Sequence, residues 1–346
     1  MSPKSFKKLL GILLPRLEIA SRSRGVTRNG DIHPGMALLG CLRWLAGGSI
    51  HEVRRVVGCS RSAAFALVGA VLDAINTCRR LRVRWPRTPE ERWKIAAGFR
   101  EKSPHYIIRR CLGAVDGVTI RKPGKREHVC PDRFFSGHKK CVGLNMQAIC
   151  DSNFIFTAVS INLPASMNDR TAWRTSGFAD LAAALPGRYY LLGDAAYPSS
   201  NKVLVPFAGT LLPDQPHKDS YNYHQSSGRM PIEQSFGIMV KQWGILWRPL
   251  LVPLKHTTRV IHAVVRLHNF VRREKDDAPE LPGQPAMTEG GALEDEAWAT
   301  PAAGVSGAAT TSVARNQVLD YITRKDIRRP DHKLARNKTQ DAASQA

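Results

Sequence analysis

Three acidic residues in this chain stand where packing alone gives an acid little reason to be. Asp116 lies inside the apolar run CLGAVDGVTIR (111–121) and is followed at once by Gly117. Asp194 falls at the end of the apolar part of YYLLGDAAYP (189–198), and Glu233 lies in RMPIEQSFG (229–237). A lone carboxylate inside an apolar strand is costly to bury unless something pairs with it. Magnesium and manganese prefer carboxylate oxygens as donors. Two such ions can activate a water and stabilise a leaving oxygen in phosphodiester cleavage. The intervals between the acids are 78 and 39 residues, so only a fold can bring them together.

Each acid also has a plainer reading. Asp116 before Gly117 suits a turn or bulge, and Asp194 suits a helix cap. Glu233 suits a helix N-terminus or a pair with Arg229 four residues earlier. Asp169 is a further carboxylate able to complete a triad, but its place at a helix start favours capping. His128, Cys130, His138 and Cys141 offer zinc-type donors, though not at a standard spacing.

The elements that would position the acids can be read in order. Pro34 to Gly47 predicts a helix with Leu38, Leu42 and Leu45 on one face. SIHE at 49–52 is a capping box that opens a second helix, ended by Gly58. Ser60 caps a third helix to about Arg80, with Phe65, Val68, Leu72 and Ile75 on its inner stripe. The triplet with its tight turn is a helix-turn-helix pattern, and Arg61 at the start of the third helix is a candidate DNA contact. TPEE at 88–91 caps a linking helix. Runs 112–121, 142–151, 154–162 and 188–194 read as strands, with a helix from Asn168 to Ala184 before the last. A loop-rich stretch to about Ser227 follows, then helices near 231–243 and 256–274. Arg229 and Lys241 fall near the Glu233 side of their helix and are candidate phosphate contacts.

Lysine and arginine number 51 against 29 acids, a formal charge of +22 in 346 residues. Such an excess favours polyanions, nucleic acid first. No apolar stretch has the length of a membrane span, so a soluble protein is expected. The seven cysteines are scattered with no CxxC pair, which suits a reducing compartment. The basic amphipathic start SFKKLLGILLPRL, read as two helical turns before Pro15, is better explained as a first helix than as a signal or transit peptide. From about 275 the composition turns to Pro, Gly, Ala, Thr and Glu, predicting a disordered tail with a weak helix near 315–323. The basic run 324–338 suits a nuclear import signal, a DNA-touching arm or a solvated tail.

GAVDGVTI (113–120), LLGDAAYP (191–198) and RMPIEQSFGIMVKQW (229–243) resemble the three blocks of PIF/Harbinger-type DDE transposases and the nucleases derived from them. WPRTPEERWKIAAGF, LNMQAICD, SMND, YNYH and VIHAVVRLHNFV are similar to further family segments, in the family's order over about 35–275. The resemblance implies an α/β fold with an RNase H-like mixed sheet flanked by helices, preceded by the all-α helix-turn-helix region. The expected domains are then 1–87, 88–274 and the tail 275–346. It implies Asp116, Asp194 and Glu233 as catalytic metal ligands, Mg2+ or Mn2+ as cofactor, and cleavage of double-stranded DNA in the nucleus, with strand transfer as an added activity. It further suggests a Myb-like accessory protein and leaves a homo-oligomer open. A domesticated, non-catalytic DNA-binding or adaptor protein is the rival reading. Two departures from the family pattern stand out: Ala196, where glycine is frequent, and Pro231, two residues before Glu233.

Overall fold

The computed structural model describes residues 1–22, 32–123, 131–137, 139–208, 215–274 and 312–330. His128, Cys130 and His138 lie outside the described residues, as does most of the span 275–346. Four helices come first: α1 (Pro3–Arg22), α2 (Pro34–Leu45), α3 (Ile50–Val57) and α4 (Arg61–Thr77). Their ends follow side-chain chemistry. Ser49 Oγ accepts from the Glu52 amide at 3.2 Å while Glu52 Oε1 accepts from the Ser49 amide at 3.2 Å, so both halves of the capping box form. Gly58 ends α3 in the left-handed region at φ 72°, and Ser60 caps α4. The axes of α3 and α4 meet at 94°, inside the range of about 90–120° for helix-turn-helix pairs.

Two expectations for this region need correction. Helix α1 does not stop at Pro15 but runs through it to Arg22. An interior proline costs about 3 kcal/mol, yet Leu9, Leu13 and Leu17 are nearly completely buried at four-residue spacing, each worth about 1.5–3 kcal/mol. Phe65 is not on the inner stripe of α4: it is 53% exposed, whereas Val68, Leu72 and Ile75 are buried.

Helix α5 (Pro89–Lys102), opened by the Thr88–Glu91 capping box, leads into a sheet. The order is β1 (Cys111–Arg121), α6 (Pro131–Phe134), β2 (Phe135–Ser136), β3 (Cys141–Cys150), β4 (Phe156–Pro164), α7 (Asp169–Thr175), α8 (Phe178–Ala183), β5 (Tyr190–Leu192) and β6 (Val203–Leu204). Helices α9 (Pro216–Gln242), α10 (Leu254–Glu274) and α11 (Val313–Arg324) follow. Among the described residues the sheet has six strands, with β3 between β1 and both β2 and β4, and β5 and β6 beyond β1. The pairs β1–β3 and β3–β4 are antiparallel, while β1–β5 and β5–β6 are parallel. This mixed sheet flanked by helices fits an RNase H-like fold.

One apolar cluster joins α1, α2 and α4 to α9, α10 and the sheet, through residues such as Leu13, Leu67, Val264, Phe236 and Met146. The expected boundary at 87/88 is therefore crossed by shared core. Helix α10 is the joint: Arg259 pairs with Asp73 of α4 at 2.6 Å, and Asn269 exchanges two hydrogen bonds with the Phe156 backbone of β4 at 2.8 and 2.9 Å. The weak helix expected near 315–323 is α11, which packs on the fold rather than lying in a disordered tail: its Val318 and Ile322 are buried with Leu192, Leu204 and Tyr221. No single helix among the described residues is long and apolar enough to cross a membrane.

Candidate active site

Asp116 sits in the middle of β1, paired in backbone register with Ala148 of β3. On the other side Ala114 is level with Leu192 of the parallel strand β5. Two residues further along come Asp116, still within β1, and Asp194, past the end of β5, so the two acids lie towards the same end of neighbouring strands. Asp194 lies just past β5 in a tight turn, where its Oδ1 accepts from the Ala196 amide at 2.9 Å and its carbonyl from the Tyr197 amide at 3.2 Å. The half-buried acid thus also shapes the turn that presents it.

Helix α9 delivers the third acid. It begins at Pro216, fifteen residues before the start expected at Pro231. Pro231 is interior, and Glu233 is in mid-helix rather than in a first turn, so it owes nothing to a helix N-terminus. The helix lies tightly on the sheet at Gly228, where any Cβ would collide with Ile108 and Leu192. Gln225 Nε2 donates to the Gly193 and Leu204 carbonyls at 2.7 and 3.0 Å, fixing α9 against the loop that holds Asp194. One residue past Gly228, Arg229 is directed at β1. Its Nη2 is 3.9 Å from Asp116 Oδ2 and 3.4 Å from Glu233 Oε1. The arginine side chain is 13% exposed, that of Asp116 21%, and that of Glu233 56%.

A fourth carboxylate joins them. Asp169, at the start of α7, was expected to cap that helix. Asn168 does so instead, accepting from the Thr171 amide at 2.9 Å. This frees Asp169 Oδ1 to accept from Gln147 Nε2 at 2.9 Å and Asn145 Nδ2 at 3.4 Å. Gln147 Oε1 in turn accepts from the Tyr197 hydroxyl at 2.7 Å. A Cβ at position 117 would overlap both Gln147 and Asp169, so only glycine lets this group close over β1 beside Asp116. Asn145, Gln147 and Tyr197 carried no signal in the sequence. The one usable hint was the pair Asn168–Asp169: a helix start needs a single cap, and the second acid is surplus.

Burial is the main influence on Asp116 and pushes its carboxyl up to about 6; Asp194 and Asp169 push the same way, while the Gly117 amide and Arg229 oppose them. Burial, helped by the same three aspartates, raises the Tyr197 phenol far above its usual range, which keeps it a donor. Among the described residues, no three His, Cys, Asp or Glu side chains converge closely enough to hold one metal ion. The reason is local: the Arg229 guanidinium stands between Asp116 and Glu233 and draws Glu233 to itself. In kind, the donors suit a hard divalent cation, since all are carboxylate oxygens around a site that already holds a cation. Lys241 is exposed on the same helix, about 12 Å beyond Glu233 at 1.5 Å per residue. Arg61 is exposed at the first position of α4, its guanidinium 6.0 Å from the Phe65 ring centre. Neither reaches the acids.

Residues 115–269 match the family model of the DDE superfamily endonucleases. A curated relative, "Protein ALP1-like" of Arabidopsis thaliana, is 21% identical over 248 residues, covering 65% of this chain. The alignment spans 57% of that relative's length. No solved structure matches the chain. DDE superfamily endonucleases generally use divalent metals. The matched span begins one residue before Asp116 and takes in Asp169, Asp194, Arg229 and Glu233. Over residues 115–269 the chain is similar to the DDE superfamily endonucleases, and it resembles the Harbinger-type transposase-derived nucleases among them.

Proposed function

We propose that the protein is a divalent-metal-dependent DNA endonuclease of the DDE type, with Asp116, Asp194 and Glu233 as its catalytic carboxylates. The observation that supports this reading is that Asp116 of β1 and Asp194, just past β5, lie towards the same end of neighbouring parallel strands, with Glu233 of α9 linked to Asp116 through Arg229. A DDE nuclease domain implies DNA as substrate. Bound Mg2+ or Mn2+ would supply an activated water, or an activated 3′-hydroxyl in strand transfer, and would offset charge on the leaving oxygen. The chain's residues set the stage for that chemistry. Asp116 and Asp194 present oxygens from rigid backbone. Glu233 must turn from Arg229 towards Asp116, a rotation its exposure leaves free. Arg229, released from both acids, is then placed to contact a phosphate oxygen. Asp169, held by Gln147 and Asn145, sits as a fourth acid beside Asp116. The α3–α4 pair, with Arg61 and Ser62 exposed at the start of α4, supports a role in positioning duplex DNA. The nucleus is the compartment this reading requires.

A second reading has its own observation. With Arg229 bridging Asp116 and Glu233, the group also fits a structural ion-pair network, as a DNA-binding protein without catalysis would need. Cleavage of duplex DNA separates the two. Wild type should nick or cut DNA with Mg2+ or Mn2+, and Asp194→Asn should not. Wild type that binds DNA but cuts with neither metal would sink the enzyme reading.

A further inference from the structure

A second charged site lies at the other end of the same strands. Arg109 and Arg110 immediately precede β1, and Arg188 and Tyr189 immediately precede β5. Because the strands are parallel, all four residues gather at one edge of the sheet. They line a cavity of about 90 Å3 together with Trp93 and Arg100 of α5, and α11 forms a wall through Gln317 and Val318. Along β1, Arg110 is about 20 Å from Asp116 at about 3.3 Å per residue. No group of the candidate active site reaches so far.

The lining contains four arginines and no Asp or Glu. Gathering like charges without an acid is unfavourable for the chain alone and marks a place for an anion. Arginine forks match phosphate oxygens two at a time. The arrangement is also held in place. Arg109 Nε donates to the Tyr106 carbonyl at 3.1 Å, and its guanidinium stacks 4.4 Å from the Tyr321 ring centre of α11. On α5, Trp93, Ala96, Ala97 and Arg100 form one stripe, with the two alanines as a floor between the indole and the guanidinium. Trp93 is 63% exposed, an indole face left open at the rim. The cavity holds several waters' worth of space, which suits a phosphate group but not a whole nucleotide.

We infer that this cavity binds single-stranded nucleic acid, taking one phosphate among Arg100, Arg109 and Arg110 and stacking the adjoining unpaired base on Trp93. Stacking on an aromatic face is tolerant of base identity and worth about 1–3 kcal/mol per base, so the site grips strand rather than sequence. The inference does not rest on catalysis, and its test is run without metal.

Full-length protein in EDTA is titrated into fluorescein-labelled single-stranded DNA, the matching RNA, and duplex DNA over a series of salt concentrations. Trp93→Ala should weaken single-strand binding about fivefold or more and leave duplex binding unchanged, and Trp93→Phe should restore it. Arg100→Ala with Arg110→Ala should lower the salt slope for single strands by about 0.7 per arginine. Equal binding of DNA and RNA would assign the site to the shared phosphodiester strand, and a preference would name its source. Unchanged single-strand binding by Trp93→Ala would overturn the proposal. So would an equal loss of slope in the remote pair Lys4→Ala and Lys7→Ala, or displacement of the strand by an acidic peptide (289–296) that the Trp93→Ala protein binds equally well. None of these outcomes depends on whether the protein cuts DNA.

Discussion

Strands β1 and β5 carry opposite charge at their two ends. At one end Asp116, Asp194, Asp169 and Glu233 gather, with Arg229 between Asp116 and Glu233. At the other end four arginines meet with no acid. The difference lies in how each set is balanced. The acidic end is only partly balanced, by Arg229 between Asp116 and Glu233, and burial raises the Asp116 carboxyl to about 6. The basic end has no Asp or Glu among the described residues of its lining and opens to solvent beside an exposed tryptophan. The same parallel pair of strands can therefore support a site awaiting cations and a site awaiting anions, provided they are far enough apart for water and salt to screen them. At 0.15 M salt the screening length is about 8 Å, well short of the separation along β1.

The largest test of this contrast is catalytic. Asp116→Asn or Asp194→Asn should lower metal-dependent DNA cleavage by more than about 100-fold, since even groups that only support a metal ligand are worth about 10–100-fold. Substitution of Arg100 and Arg110 should leave cleavage of a short duplex substrate within a few-fold of wild type, as read by gel assay. A comparable loss at both ends would merge them into one functional surface.

Next in size is stability against pH without metal. Asp116 has its carboxyl raised from 3.8 to about 6. The folded protein therefore holds a proton there that the unfolded chain has released, and stability from this group is complete below about pH 3.8 and lost as pH rises through about 6. The difference amounts to at most about 3 kcal/mol. Asp116→Asn should thus be the more stable protein at pH 8, by up to that amount in urea denaturation, with the advantage vanishing near pH 4. Buried His224 and His268 act oppositely: burial holds both down at about 4. Their neutral forms support the fold above about pH 6.5, and that support is lost as pH falls towards 4. Comparing the variant with wild type cancels their shared contribution.

Smaller effects probe how the acidic end is built. Tyr197→Phe leaves Gln147 Oε1 without its buried donor and should cost about 1–3 kcal/mol, measured by thermal denaturation. It should also loosen Asp169. Arg229→Gln removes the cation between Asp116 and Glu233. Without metal, Asp116 should titrate still higher, and Mn2+ binding followed by calorimetry should tighten by about fivefold, near 1 kcal/mol. Weaker Mn2+ binding would mean that Arg229 orders the acids more than it competes for them.

Much of the fold was legible because its signals are local. Ser49, Ser60, Thr88 and Asn168 each cap the helix that their position announced. The four strand runs around the acids all became strands, since apolar β-type residues bounded by turns have few other solutions. The errors arose where distant packing overrode local preference. Pro15 and Pro231 read as boundaries, but both lie inside helices held by long-range burial: α1 by its leucines, α9 by Gly228 and Gln225 against the sheet. Phe65 read as core by spacing, yet its side of α4 has no partner element. The late helix α11 was only weakly indicated, because its neighbours Leu192, Leu204 and Tyr221 come from more than ninety residues earlier in the chain.

For the candidate site the division is similar. Residue type and setting singled out Asp116 and Asp194, because an acid beside or within an apolar strand is expensive unless it has work to do; Glu233 stood out mainly through the resemblance of its segment to the family's third block. The order of strands and helices then limited how they could meet. Only the tertiary structure placed Arg229 between two of them, turned Asp169 from a cap into a neighbour, and assembled Asn145, Gln147 and Tyr197 behind it. It alone gathered the arginines at the far end. These are relations between side chains on separate elements, set by the parallel register of β1 and β5 and by the close seat of α9. No local sequence pattern encodes a register or a distance of that kind.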